Sequence, residues 1–233
     1  MGTPKIFDPH ASADGRTTVS LDGPRIKIVA DGVERTFPVP ENCSEPPAEA
    51  DKNVWLKTDR GVVYGEYCYA DSATVIARFD AQGKPIGSKS FPGGIGLDIS
   101  PASGKAVFYV GSTEDYAFVV AGLDGSDPTV ILQYPNPGEG SKVPLTPGIM
   151  RFSASGTKLF YSYQILEPID PMEPDPGYEY AYHSAIYDVA SGSSRFMDEV
   201  FPAGSETFFY GWIGDSILVT KDKSGIATQH RIP

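Results

Sequence analysis

Ser12-Ala-Asp-Gly15, Ser100-Pro-Ala-Ser-Gly104 and Ser153-Ala-Ser-Gly156 are three versions of one corner, each set between an apolar segment and a strand-like run. Serine can bond back to its own backbone, and glycine supplies the positive φ that a tight bend needs. A corner that recurs at intervals marks a repeated structural unit. A second punctuation agrees with it: apolar-proline pairs close successive units at Val39-Pro40, Phe91-Pro92, Tyr134-Pro135, Phe201-Pro202 and Ile232-Pro233. The pieces are about 30 to 65 residues long, near the range in which periodicity signals propellers or solenoids.

Working outward from the corners, the first unit reads as strands over 5–11, 17–21, 25–30 and 33–39. Asp22-Gly23 and Asp31-Gly32 close its hairpins. The third unit repeats the plan over 95–100, 105–111, 116–123 and 129–134. The second gives 54–57, 61–69, 73–80 and 86–91, with the weaker corner Thr58-Asp-Arg-Gly61; the fourth gives 149–153, 158–166, 180–189 and 194–200. The fifth unit holds only three strands, 207–213, 216–220 and 226–232, and residues 1 to 5 are one source for its missing edge. No amphipathic helical stretch of ten or more residues interrupts these runs. The expected fold is all-β: a single small β-propeller of nominally five four-stranded antiparallel blades with an incomplete last blade. The approximate blades are 1–40, 41–92, 93–135, 136–202 and 203–233.

Composition fits that fold. Of 233 residues 40% are hydrophobic and 12% aromatic, enough for a core, while 25 glycines and 21 prolines imply many short strands and turns. The formal charge of −11 opposes phosphate backbones, so no nucleic-acid partner is expected. No run of about 18 apolar residues occurs, so no membrane insertion is expected. The start Met-Gly-Thr-Pro-Lys lacks the apolar core of a signal peptide. No location is assigned: the chain is periplasmic or secreted if a leader was removed, and otherwise cytoplasmic. Cys43 and Cys68 fit two states, a disulfide between a loop and a strand or two separate thiols.

The corners carry a resemblance. Phe152-Ser-Ala-Ser-Gly-Thr-Lys-Leu-Phe-Tyr161, followed by Ala185-Ile-Tyr-Asp-Val-Ala-Ser-Gly192, resembles the repeat of TolB-like and WD-like propellers, as do Ile99-Ser-Pro-Ala-Ser-Gly-Lys-Ala-Val-Phe108 and Ala11-Ser-Ala-Asp-Gly-Arg16. The resemblance implies a propeller and, commonly, protein interaction; fold alone fixes no chemistry.

In a blade the first strand lines the central channel and successive side chains alternate. Ala11, Ile99 and Phe152, adjacent to the corner serines, are expected to pack between blades, which turns His10, Asp98 and Arg151 toward the channel. Lys57 breaks this pattern in the second unit. A glycosidase needs two carboxylates, one acid and one base or nucleophile, and only Asp98 is well placed, with Asp8 a weak second. His10, His183 and His230 lack metal-ligand spacing, and no nucleophile elbow or phosphate loop occurs. No catalytic residue, cofactor or metal is therefore assigned.

The stretch Glu167-Pro-Ile-Asp-Pro-Met-Glu-Pro-Asp-Pro-Gly177 reads as an inserted surface loop, too proline-rich for a central strand. Glu167, Asp170, Glu173 and Asp175 crowd it beside Tyr178, Tyr180 and Tyr182, and their spacing is not that of a calcium-binding EF-hand loop. A calcium ion ranks low for it. Tyrosines on a loop held by a rigid scaffold offer contact area at small entropic cost. The leading expectation is a non-enzymatic module that binds a protein partner through 167–182. A glycan-processing hydrolase or lyase using the channel comes second, and a lectin holding a small neutral sugar third.

Overall fold

The structure is a computed structural model. It describes residues 10–12, 14–41, 43, 54–59, 61–111, 115–135, 145–168, 178–197, 200 and 207–232. Five meander sheets follow one another along the chain. Sheet I contains β1 (His10–Ala11), β2 (Thr17–Asp22), β3 (Arg25–Ala30) and β4 (Val33–Pro38); sheet II contains β5 (Val54–Thr58), β6 (Gly61–Cys68), β7 (Ala73–Asp80) and β8 (Pro85–Pro92). Sheet III contains β9 (Gly94–Ser100), β10 (Lys105–Gly111), β11 (Asp115–Gly122) and β12 (Thr129–Pro135). Sheet IV contains β13 (Leu145–Phe152), β14 (Lys158–Pro168), β15 (Tyr178–Asp188) and β16 (Ser193–Phe196), and sheet V contains β17 (Thr207–Ile213), β18 (Ile217–Asp222) and β19 (Ala227–Arg231). In every sheet sequential strands are spatial neighbours, and among the described residues there is no helix. The chain is a five-bladed β-propeller whose last blade has three strands among the described residues. Residues 1 to 5 and Asp8 lie outside the described residues.

The corners explain the regularity. Ser12 and Ser153 each lie buried, and each Oγ accepts the N–H of the residue five further on, Thr17 at 3.0 Å and Lys158 at 3.1 Å. Ser100 Oγ accepts Ser103 N–H at 3.4 Å. Gly15 and Gly156 donate to the carbonyls of Ser12 and Ser153, both at 2.9 Å, with φ of 71° and 73°. Side-chain oxygen and glycine together satisfy a bend that passes from first to second strand within five residues. The prolines act at the other end: β8 ends at Pro92 and β12 at Pro135, where a missing N–H costs no ladder bond to a further strand.

By internal contact the chain forms two compact units, Met1–Phe108 with Val120–Thr129, and Tyr109–Val119 with Val130–Pro233. The first is built around Val19, Ile26 and Ile28 of sheet I against Val54, Val62, Tyr64, Ala77 and Phe79 of sheet II. In the second, Phe160 and Ile186 of sheet IV pack with Met197, Leu218 and Ile232, while Phe118 meets Tyr161 and Tyr163 edge-on.

Sheet IV differs most from the sequence reading. β13 begins at Leu145, four residues earlier than expected, because a bulge between Pro147 and Met150 hides the alternation. β14 continues through Glu167 to Pro168 and β15 starts at Tyr178, so part of the expected loop is strand. β16 stops at Phe196 instead of 200, since Val200 N–H turns back to the Met197 carbonyl at 2.9 Å.

Candidate recognition surface

Asp98 stands on β9 with 1% of its surface exposed, and its carboxylate receives Lys57 Nζ from β5 at 2.5 Å. Three further bonds tie sheet II to β9, one from Trp55 of β5 and two at Thr74 of β7. Trp55 Nε1 donates to the Leu97 carbonyl at 3.2 Å, and Thr74 Oγ1 donates to the Gly94 carbonyl at 2.7 Å while accepting Gly96 N–H at 2.8 Å. Gly96 leaves room for the indole, since a Cβ there would come within 3.2 Å of the Trp55 ring. Lys57, the residue that broke the sequence pattern, is the counter-ion of the residue the pattern singled out. The arrangement is a polar joint between sheets II and III.

The second unit has a counterpart. Trp212 on β17 donates its indole N–H to the Arg151 carbonyl of β13 at 3.1 Å, and Asp215 accepts Ser155 N–H at 2.9 Å. Both tryptophans of the chain thus sit on first strands and bond the first strand of another sheet. Arg151 is exposed and folds its guanidinium onto the Met150 carbonyl at 2.7 Å. Phe152 and Ile99 are buried, as packing between sheets requires, whereas Ala11 is exposed. His10 lies in β1 opposite Val19. Trp55, Lys57 and Thr74 were absent from the sequence-based candidates; the signal for them was the need of a buried Asp98 for a cation and donors.

A second buried carboxylate, Glu66 on β6, accepts the Tyr64 hydroxyl at 3.1 Å. Burial first, then the Glu66 charge, holds Tyr64 well above the ordinary tyrosine range. Tyr109, whose hydroxyl donates to the Leu145 carbonyl at 2.9 Å, is pushed up to about 12 by burial and then by Tyr116. Glu66 and Tyr64 share one strand face and Lys57 with Trp55 uses the other face of sheet II, so Glu66 and Asp98 are not brought together as an acid and base pair. Among the described residues no group of three His, Cys, Asp or Glu side chains is arranged to hold a metal ion. A shallow cleft of about 460 Å³ in the first unit joins Asp59 of one corner to Ser103 and Gly104 of the next, over Phe79 and Leu123, with Arg78 at its side.

The hairpin of β14 and β15 is the other feature. Each strand is 11 residues, against eight at most elsewhere among the described residues, so the pair reaches about 10 Å beyond an ordinary blade strand at roughly 3.3 Å per residue. Near its base Phe160 and Ile186 are core residues; further out on the same face Tyr182 is 61% and Tyr180 39% exposed. Pro168 pairs with Tyr178 and Glu167 with Glu179, which is exposed. Asp170, Glu173 and Asp175 lie outside the described residues. Cys43 and Cys68 form a disulfide, with Cys68 buried at the end of β6.

No family model and no curated protein matches the chain. Among solved structures it is similar to an oligogalacturonate lyase in complex with manganese, at 15% identity and a TM-score of 0.47 over 99% of this chain and 65% of that one. It is also similar to Porphyromonas gingivalis dipeptidyl peptidase 4 at 14% identity, with a TM-score of 0.44 over 99% of this chain and 40% of the peptidase. An uncharacterized Listeria monocytogenes protein is 14% identical over 75% of this chain and 48% of its own length, with a TM-score of 0.44. The chain therefore spans 65% and 48% of the lengths of the lyase and the Listeria protein. Likeness at these scores carries no argument about activity.

Proposed function

We propose that the chain is a non-enzymatic recognition module that binds a protein partner through the β14–β15 hairpin. The observation that carries the reading is the exposure of Tyr182 and Tyr180 on one face of a hairpin longer than any other among the described residues. Exposed aromatics on a rigid strand supply contact area whose ordering cost is already met by the scaffold. The resemblance of the corners to TolB-like and WD-like repeats agrees with an interaction role. Asp98 supports the same side, because a carboxylate 1% exposed and held by Lys57 serves packing better than proton transfer to a glycan.

The test is comparative capture on the immobilised full chain, with wild type set against Tyr182→Ala and a variant in which 167–177 is replaced by Asn-Gly. A specific partner should be retained by wild type and lost from both variants. Equal retention on all three surfaces would remove the hairpin from the account.

A further inference from the structure

The cleft of about 460 Å³ between the second and third corners is lined from the first unit alone, and it holds a cation without a partner. Arg78 on β7 is half-buried, and among the described residues it makes no hydrogen bond and no ion pair. Carboxylates are not scarce, since the chain has 30 Asp and Glu against 19 Lys and Arg. Asp124 feels the Arg78 charge, yet it turns its carboxylate to the Ser126 hydroxyl and to the Ser126 N–H at 3.0 Å, and Lys89 extends over Gly125 beside it. Asp59 lines the cleft too, beyond ion-pair distance of Arg78.

The strand beside Arg78 is shaped around it. Arg78 pairs with Gly87 of β8, and its Nη2 lies 3.9 Å from the place a Cβ of Gly87 would take, so the guanidinium crosses β8 where no side chain stands. The register then shifts between Arg78 and Phe79, which leaves Ile86 as the extra residue of a bulge. Plain alternation from Gly87 would set Ile86 on the face away from Arg78. In the protein Ile86 is 61% exposed and lines the same cleft. Val63, the register partner of Arg78 on β6, and Leu123 are buried and add apolar lining. At the sheet III wall Ser103 Oγ is buried and makes no hydrogen bond, a second polar group left unspent.

We propose that this cleft binds a small monocarboxylate with a short apolar body, the carboxylate on the Arg78 guanidinium and the body against Ile86, Val63 and Leu123. A guanidinium fork meets a carboxylate with two parallel hydrogen bonds, and it stays charged at every relevant pH. The charges in the lining set the valence. One cation is offered, and Asp59 in the same lining disfavours a dianion, so inorganic phosphate and dicarboxylates fit worse. The site is independent of the hairpin, and neither reading stands or falls with the other.

The probe is sodium isocaproate, titrated into the isotope-labelled full chain at constant ionic strength and followed by the amide resonances of Gly61, Gly104 and Leu123, which line the cleft. A saturable shift of these amides is expected. Isocaproamide keeps the shape and lacks the charge, so it should bind at least about tenfold more weakly, and Arg78→Gln should weaken isocaproate by as much. Glutarate and inorganic phosphate should each bind at least about fivefold more weakly than isocaproate. Ile86→Ser, at an exposed position, should cost about fivefold through lost apolar contact. The amide comparison is made on the wild-type chain, so the charge requirement is tested even where a variant fails to fold. No saturable shift with isocaproate, or equal binding of isocaproamide, would overturn the proposal. So would full binding by Arg78→Gln or Ile86→Ser, or phosphate or glutarate binding as tightly as isocaproate.

Discussion

Replacing Lys57 with methionine keeps most of the side-chain length and removes the ammonium that faces Asp98. The carboxylate, 1% exposed, would then be left in the sheet II–III joint without this cation, whereas the Lys57 side chain is 19% exposed and has water on one side. Breaking a buried pair from the side that strands the better-buried charge costs about 3 to 5 kcal/mol. Partial access of water at Lys57 places the expected loss near about 3 kcal/mol. For a chain of 233 residues that lowers the melting temperature by about 6 to 12 °C, at roughly 2 to 4 °C per kcal/mol. The reverse change, Asp98→Asn, frees a lysine that can rehydrate, so it should cost less, about 1 to 2 kcal/mol. The double variant should be more stable than Lys57→Met alone, because the stranded charge is gone. Urea unfolding followed by tryptophan fluorescence reads the joint directly, since Trp55 bonds Leu97 beside the pair. A Lys57→Met loss below about 0.5 kcal/mol, or a larger loss for Asp98→Asn than for Lys57→Met, would refute the reasoning.

Two further outcomes test the scaffold. The Cys43–Cys68 bridge closes a loop with a sequence separation of 25, so the Cys43→Ala/Cys68→Ala variant should lose about 3.5 kcal/mol of unfolding free energy by the chain-entropy relation; equal urea midpoints for it and the oxidised parent would contradict this. Asp188 and Asp222 are held below the ordinary carboxylate range, Asp188 first by Ser191 and then by Ala190, Asp222 first by the Ser224 hydroxyl and then by Ile226 N–H. A depressed folded pKa contributes stability above the unfolded value of about 3.9, and that contribution is lost as pH falls through the folded value. The gap in urea midpoint between wild type and Asp188→Asn/Asp222→Asn should therefore narrow below about pH 4; a gap constant down to about pH 2.5 would count against it.

The blade pattern was legible because its determinants are local. Ser153 reaches Lys158 and Gly156 within five residues, and Asp31 and Gly32, at φ of 48° and 76°, close a hairpin whose sequence alone requires positive φ. The ends of sheet IV were not. Proline at 168 reads as a breaker, yet β13 pairs with β14 only as far as Ile165, so among the described residues no third strand asks for the missing N–H at Pro168. Gly148 shows the same effect at the bulge: a Cβ there would come within 2.5 Å of Ser162 Oγ, which instead accepts Ile149 N–H at 2.8 Å.

The joint shows where single-chain reading stops. Asp98 was singled out by counting from its corner, but its partner lies 41 residues away on a strand of another sheet, where periodicity within either strand is silent. What the count supplies is a position, and what fills it is decided by the neighbouring sheet: Lys57 and Trp55 reach β9, while Trp212 reaches β13 from the opposite chain direction. Residues that differ from corner to corner thus need not differ for the sake of a ligand. At β9 the difference follows from Lys57, whose ammonium meets the Asp98 carboxylate, whereas at β13 the bond from Trp212 goes to the Arg151 carbonyl, which any residue supplies. The hairpin is the contrasting case, since Tyr182 extends past the core residues Phe160 and Ile186 on its own face and carries exposed aromatic surface. That contrast leaves exposed aromatic surface on the hairpin and polar ties between sheets in the joints.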